Sequence, residues 1–126
     1  MVGAVHAFSG FSVDNQKSAE EFYRDTLELE VASDEMGLHL HLPGGVEVFV
    51  YEKPDHQPAS FTILNFVVED IDAAVDALVE KGVAIEHYDF AHQDEKGIAR
   101  GKAANMGPDI AWFKDPAGNV LSVLQN

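Results

Sequence analysis

The stretch FSGFSVDNQKSAEEFY, residues 8–23, is the strongest indication of the fold because its pattern recurs later in the chain. The second copy is ILNFVVEDIDAAVDAL, residues 63–78, which begins 55 residues after the first. In each copy a short apolar stretch leads to Asn or Asp, and apolar residues at helical spacing follow. This pattern is typical of a strand, a helix N-cap and an amphipathic helix. Because each copy reads as one supersecondary unit, the repeat fixes the architecture of the chain.

Strand-like segments follow each predicted helix and complete the repeat. Three lie in each half: 29–33, 37–42 and 46–52 in the first, then 84–88 (with part of 99–104 as a further candidate), 109–114 and 119–125 in the second. The order strand, helix and three strands therefore occurs twice.

The two modules span 1–52 and 61–126, and the linker KPDHQPAS, 53–60, joins them. The linker has two prolines and no apolar periodicity, which is typical of a connecting segment. We predict a single α+β domain whose two βαβββ modules form a curved mixed sheet. The concave face of such a sheet is a natural apolar cleft for a small organic ligand.

Composition excludes several classes of protein. The 126 residues include 22 acidic and 8 basic side chains, a net charge of −14, which argues against nucleic-acid binding. There is no cysteine for a disulfide or a thiolate site. No apolar run is long enough for a membrane span, and no signal peptide is recognisable, so we expect a cytoplasmic protein without membrane contact. The acidic surface favours either a cationic ligand or a salt-rich cytoplasm.

Three stretches carry a resemblance to a known family: FSVDNQKSAEEFYRDTLELEV (11–31), NFVVEDIDAAVDALVEKGV (65–83) and AWFKDPAGNVLSVL (111–124). Together with the repeat and the DPAGN hairpin, they make the chain resemble the vicinal oxygen chelate superfamily, which contains glyoxalases, bleomycin-resistance proteins and ring-cleaving dioxygenases. The resemblance implies paired βαβββ modules, a cleft in each pair and commonly a homodimer.

Enzymes of that family hold a divalent metal with four His or Glu side chains, one on each of four inward-facing strand positions. The resemblance places these positions at Phe8, Val48, Ile63 and Ser122. Three of these side chains cannot coordinate, and a lone serine is a poor ligand. If these positions were shifted by one residue along their strands, Glu47 would be the only possible metal ligand among them. The same shift would turn the apolar side chains of each strand outward. We therefore expect no metal and no cofactor, which disfavours lactoylglutathione lyase and extradiol dioxygenase activity.

Other polar residues are candidates for the cleft. His39 and His41 lie two apart on a predicted strand and share one face; they are candidate general bases, a metal-binding pair that still needs a third ligand, or an exposed pair without function. We predict that Asn65 and Trp112 face inward. Arg100 and Lys102 form a candidate lid that could meet an anionic group.

The polar segment EHYDFAHQDEKG, 86–97, is interpreted as a solvated loop rather than a metal site. No serine has a recognisable nucleophile–base context.

The sequence thus favours a metal-independent small-molecule-binding protein, of the kind that sequesters an antibiotic, over an enzyme. The alternatives are a metal-free isomerase or lyase that uses His39 or His41, and a subunit whose cleft serves assembly only. The predicted cleft consists of eight residues: Phe8, His39, His41, Val48, Ile63, Asn65, Trp112 and Ser122.

Overall fold

The structure is a computed structural model that describes residues 2–126. It divides into two compact units, one ending at Pro58 and the other spanning Ala59–Asn126. The division falls within the predicted linker. No helix in residues 2–126 is long and apolar enough to cross a bilayer.

The first unit contains one strand, one helical segment and three further strands. The helix α1 continues into a single π-helical turn at Phe22–Thr26. The elements are β1 (Ser9–Val13), α1 (Gln16–Glu21), β2 (Glu30–Ser33), β3 (Leu38–Leu42) and β4 (Val46–Glu52). The strand order is β1-β4-β3-β2, with β1 parallel to β4 and the other neighbours antiparallel.

The second unit repeats this arrangement. Its elements are β5 (Thr62–Val67), α2 (Ile71–Glu80), β6 (Ala99–Arg100), β7 (Asp109–Lys114) and β8 (Val120–Gln125). The strand order is β5-β8-β7-β6, again with the outer strand β5 parallel to its neighbour. Two mixed four-stranded sheets, each built from a strand, a helix and three strands, confirm the predicted α+β fold.

One predicted strand is absent. Residues 84–88 are not part of the sheet, although Glu86 N–H donates to the Trp112 carbonyl at 2.8 Å. The fourth strand of the second sheet is β6 instead, where Ala99 pairs with Ile110 and Arg100 with Asp109. The expectation for 84–88 was wrong because its residues satisfy the strand pattern but form only this hydrogen bond to β7 and no ladder, whereas β6 pairs with Ile110 and Asp109.

Equivalent caps begin the two helices. The Asn15 side chain accepts a hydrogen bond from Ser18 N–H at 2.9 Å, and Asp70 accepts one from Ala73 N–H at 3.1 Å. These residues occupy matching positions of the repeat. Because an unpaired N–H at a helix start is costly, the caps fix where each helix begins.

The hairpin between β7 and β8 is held by one carboxylate. Asp115 is buried and accepts hydrogen bonds from Ala117 N–H at 3.0 Å and from Asn119 N–H at 2.9 Å. Gly118 has φ +86°, which a residue without a Cβ adopts at little cost. The turn therefore sets the register of β8 and places Ser122 opposite Trp112.

Each sheet buries one face beneath its helix. In the first unit Val13, Leu38, Leu40 and Val50 are fully buried. The second unit buries four strand residues, Ala111, Phe113, Leu121 and Val123, against three residues of α2, Ile71, Val75 and Leu78. The alternate residues of each strand lie on the face opposite the helix, and the candidate sites lie there.

Candidate functional site

The face of the first sheet opposite α1 carries both histidines. In the ladder between β3 and β4, His39 pairs with Phe49 and His41 pairs with Glu47. Directly opposed residues lie on the same face of a sheet, so these four side chains are neighbours. The rings of His39 and Phe49 lie 5.3 Å apart.

Val48 does not lie on this face, and the prediction that it lines a cleft was wrong. It pairs with Leu40, is 5% exposed and belongs to the core beneath the helix. Glu47 takes the opposite face in its place. The sequence VEVFVYE carries apolar residues at both parities, because Phe49 and Tyr51 alternate with the valines. Alternation alone therefore could not identify the inner face of β4.

Carboxylates surround the histidine pair. His39 Nε2 donates to Asp34 Oδ2 at 3.3 Å, and its Nδ1 lies 3.7 Å from Glu47 Oε1. The same Glu47 oxygen lies 3.8 Å from His41 Nε2. Backbone hydrogen bonds from Met36 and Gly37, with a smaller contribution from His39, hold the pKa of the Asp34 carboxyl below its ordinary value. The Asp34 carboxylate therefore orients the His39 ring through Nε2.

Beside Glu47 runs an open groove of about 830 Å³. Phe8 lies just before β1, is 64% exposed and forms part of its wall. The His6 ring lies 6.1 Å from the Phe8 ring. The residues that line the groove are His6, Ala7, Phe8, Ser9, His41, Gly45, Val46 and Glu47.

Ser122 and Asn65 form a pair in the second unit. They are register partners in β8 and β5, and Ser122 Oγ donates to Asn65 Oδ1 at 2.6 Å. Ser122 is fully buried, whereas Asn65 is exposed. On the side away from β5, Ser122 pairs with Trp112 of β7. The Trp112 side chain therefore lies on the same face of the sheet as Ser122, whereas the buried Phe113 lies on the opposite face.

Ile63 occupies a β-bulge. The ladder passes from Thr62–Val120 directly to Leu64–Leu121, so Ile63 is the extra residue of β5. A bulge re-aims its side chain and changes the alternation of the strand. Ile63, which the resemblance assigns to a metal-ligand position, therefore does not occupy a regular inward-facing site of the strand. Asn65 is the residue that lies beside Ser122.

Three aromatic rings form a cluster that the sequence did not predict. Tyr88 and Phe90 are stacked at 5.4 Å, and both meet Trp112 edge-on, at 5.5 and 6.2 Å respectively. Burial, and then the nearby Glu86 charge, raise the pKa of the Tyr88 hydroxyl. Phe90 is 78% exposed. The signal in the sequence was the Tyr-x-Phe spacing in segment 86–97, which its many polar residues obscured.

The candidate lid residues are placed differently from the prediction. Arg100 donates to Asp72 Oδ1 at 2.8 Å and to Asp94 Oδ2 at 3.0 Å, so carboxylates of its own unit already engage it. Its side chain is therefore not available to meet an anionic ligand. Lys102 lies in the exposed turn after β6, where its backbone N–H donates to Asp109.

The family's metal does not fit the residues present. The resemblance assigns four strand positions to metal ligands, and Glu47 is the one side chain at or beside them that can coordinate a metal. The Ser122 hydroxyl donates to Asn65 instead. Phe8 and Ile63 offer no donor atom. Within residues 2–126, no three His, Cys, Asp or Glu side chains are grouped as a metal site, and this includes the polar segment 86–97.

Comparison with known proteins gives consistent matches over nearly the whole chain. Protein YraH of Bacillus subtilis strain 168 is 27% identical over 88% of this chain and 90% of its own length. TnmS3, an antibiotic-binding protein from Streptomyces sp. CB03234, is 25% identical with a TM-score of 0.65 over 97% of both chains. Lactoylglutathione lyase from Agrobacterium tumefaciens is 20% identical with a TM-score of 0.65 over 98% of this chain and 95% of its own, a likeness of fold.

The family model described as Glyoxalase/Bleomycin resistance protein/Dioxygenase superfamily matches residues 4–123. That range includes both copies of the repeat and the hairpin before β8. The chain therefore belongs to the glyoxalase/bleomycin resistance protein/dioxygenase superfamily.

Proposed function

We propose that the protein binds a planar aromatic small molecule, such as an antibiotic, without a metal. The observation that carries this proposal is the cluster of Tyr88, Phe90 and Trp112. An exposed phenylalanine stacked on a half-buried tyrosine is a platform for a second flat ring. Trp112 also lies beside the pair formed by Asn65 and Ser122, which adds a polar contact next to the aromatic surface.

The chemistry of these residues defines the ligand class. Asn65 uses its carbonyl oxygen to accept from Ser122, and its amide nitrogen is left to donate to a ligand oxygen. The net charge of −14 attracts a cationic ligand over long range. A planar aromatic compound with a positive charge and a carbonyl group satisfies all three features. The likeness to the antibiotic-binding TnmS3 supports an antibiotic as the ligand.

Trp112 provides the test, because it is the only tryptophan in the chain. Titration with a panel of planar cationic antibiotics is expected to quench its fluorescence in a saturable manner. The same ligands are expected to raise Tm by several degrees at about one hundred times Kd. A panel that leaves both the fluorescence and Tm unchanged would contradict the proposal.

A matched pair of variants locates the site. Phe90→Ala removes the exposed ring of the cluster and is expected to weaken binding about tenfold. Phe61→Ala removes a phenylalanine that is 69% exposed and, among the described residues, has no ring contact. Phe61→Ala is therefore expected to leave Kd unchanged, and equal losses for the two variants would place the ligand elsewhere.

A second candidate function is proton transfer by His39, which the contact between His39 Nε2 and Asp34 favours. A metal-free isomerase or lyase would use Nδ1 as the base. Small carbonyl compounds incubated with the protein in D2O would then gain deuterium next to the carbonyl, as followed by NMR. Exchange that persists at the same rate in His39→Gln would rule out this role.

A further inference from the structure

The connector between the units places a histidine on a serine of β1. Ser12 Oγ lies 2.6 Å from His56 Nδ1, and the contact is partly buried. The two residues are 44 positions apart, and the sequence gives no motif that links them. A serine oxygen and an imidazole nitrogen at this distance have the geometry of a nucleophile and its general base.

The turn Lys53–His56 fixes the imidazole. Lys53 N–H donates to the Val13 carbonyl at 2.9 Å, which holds the start of the connector beside the end of β1. His56 N–H then donates to the Lys53 carbonyl at 3.0 Å, which closes a four-residue turn with Pro54 at its second position. Proline presets the backbone there, so the turn directs His56 back over Ser12.

The surface next to Ser12 combines a glycine with aromatic side chains of the neighbouring strand. Gly10 precedes Ser12 on the same face of β1 and has no side chain, and a Cβ added there would lie 3.0 Å from the Phe49 carbonyl oxygen. The neighbouring strand supplies Phe49 and Tyr51, whose rings are stacked at 5.9 Å. The Ser12 hydroxyl thus lies on a strand face beside aromatic rings and the exposed residue Gly10.

We propose that Ser12 and His56 form an acyl-transfer dyad for carboxylic esters with an aromatic group. Ser12 Oγ attacks the ester carbonyl carbon while its proton passes to His56 Nδ1. The carbon–oxygen bond to the leaving alcohol breaks, and the alcohol takes the proton from His56. Water then attacks the acyl-serine, gives a proton to His56 and releases the acid, and His56 returns that proton to Ser12 Oγ. This activity is independent of the aromatic cluster in the second unit.

The experiment uses p-nitrophenyl acetate as the probe and the full chain as the protein. Release of p-nitrophenol is followed at pH 7.5, and the acetylated residue is identified by peptide mass spectrometry after acid quench. We expect an acetyl group on Ser12 and turnover that falls at least about a hundredfold in Ser12→Ala. Acetylation confined to lysines, with turnover unchanged in Ser12→Ala, would overturn the proposal.

His56→Asn separates catalysis from anchoring. An asparagine oxygen can replace Nδ1 as the acceptor for the Ser12 hydroxyl, but it cannot take up the proton. We expect His56→Asn to keep the Tm of the parent protein and to lose about a hundredfold in the acetylation rate of Ser12. An unchanged rate in a variant with unchanged Tm would show that the contact only anchors the connector. Ser60→Ala and His92→Asn, both at exposed positions, are the matched controls and should leave the rate unchanged.

Discussion

Glu28, which follows the first helical segment, has a backbone conformation that is unfavourable for a residue with a Cβ. Its φ is +58°, in the left-handed region where the Cβ of an L-residue is crowded. The second module solves the same problem with Gly82, at φ +87°, directly after the C-cap Lys81 of α2. The two modules thus use the same chain reversal, and only the second has the residue suited to it.

Replacing Glu28 with glycine is expected to raise the free energy of unfolding by about 1 kcal/mol, because the left-handed conformation no longer crowds a Cβ. Urea unfolding measures this change. Glu28→Ala keeps the Cβ but removes the carboxylate, so it serves as the control for side-chain interactions. If Glu28→Gly is no more stable than Glu28→Ala, the backbone conformation at this residue is not a source of strain.

At the scale of elements, a network of charges ties the segment after α2 to that helix. Arg100 contacts Asp72 and Asp94, and Lys96 Nζ lies 3.1 Å from Asp72 and 3.0 Å from Asp76. Asp72 and Asp76 lie one turn apart on α2. A segment with little regular structure is thereby held on the outer surface of the second unit, and Arg100 is directed to the helix rather than to a ligand.

The network makes stability depend on pH. Hydrogen bonds from Arg100 and then Lys96 hold the pKa of the Asp72 carboxyl well below its ordinary range. A carboxyl whose pKa is lowered on folding stabilises the folded state above its unfolded pKa, about 3.9, and this contribution is lost as the pH falls towards the folded value.

Asp72→Asn is therefore expected to lower the urea midpoint at pH 7, with a smaller difference from the parent protein at pH 2.5. Asp89→Asn, at an exposed position outside the network, is the control and should match the parent at both values. A difference for Asp72→Asn that is the same at pH 7 and pH 2.5 would show that the Asp72 charge does not contribute.

At the scale of the whole molecule, charge repulsion opposes folding. The net charge of −14 brings many carboxylates together in a compact chain. Salt shortens the range of this repulsion, since the Debye length falls from about 10 Å at 0.1 M to about 3 Å at 1 M.

Tm is accordingly expected to rise with KCl, with most of the increase below about 0.5 M, where screening changes most. The measurement is a thermal melt at constant pH over a series of KCl concentrations. A variant with several exposed acidic residues changed to their amides should start from a higher Tm and respond less to salt. A decrease in Tm with salt would mean that attractive ion pairs, such as those of Arg100, outweigh the repulsion.

The features that depend on local pattern could be predicted from the amino-acid sequence. The repeat fixed two strand–helix–strand modules, Asn15 and Asp70 fixed the helix starts, and Asp115 and Gly118 fixed the last hairpin. Local backbone preferences and capping act over a few residues, so one sequence suffices to recognise them. The residue types at Phe8 and Ser122 also led to the prediction that no metal is bound, and this stays a prediction.

Which side chains meet became clear from the folded structure and not from the sequence. Strand register put Glu47 rather than Val48 beside the histidines, and a bulge removed Ile63 from the regular alternation. The contact between Ser12 and His56 joins residues 44 positions apart. Likewise, the rings of Tyr88 and Phe90 meet Trp112 only through folding. The physical reason is that hydrophobic alternation is ambiguous where both faces of a strand are apolar, and contacts between distant segments depend on packing that no local pattern encodes.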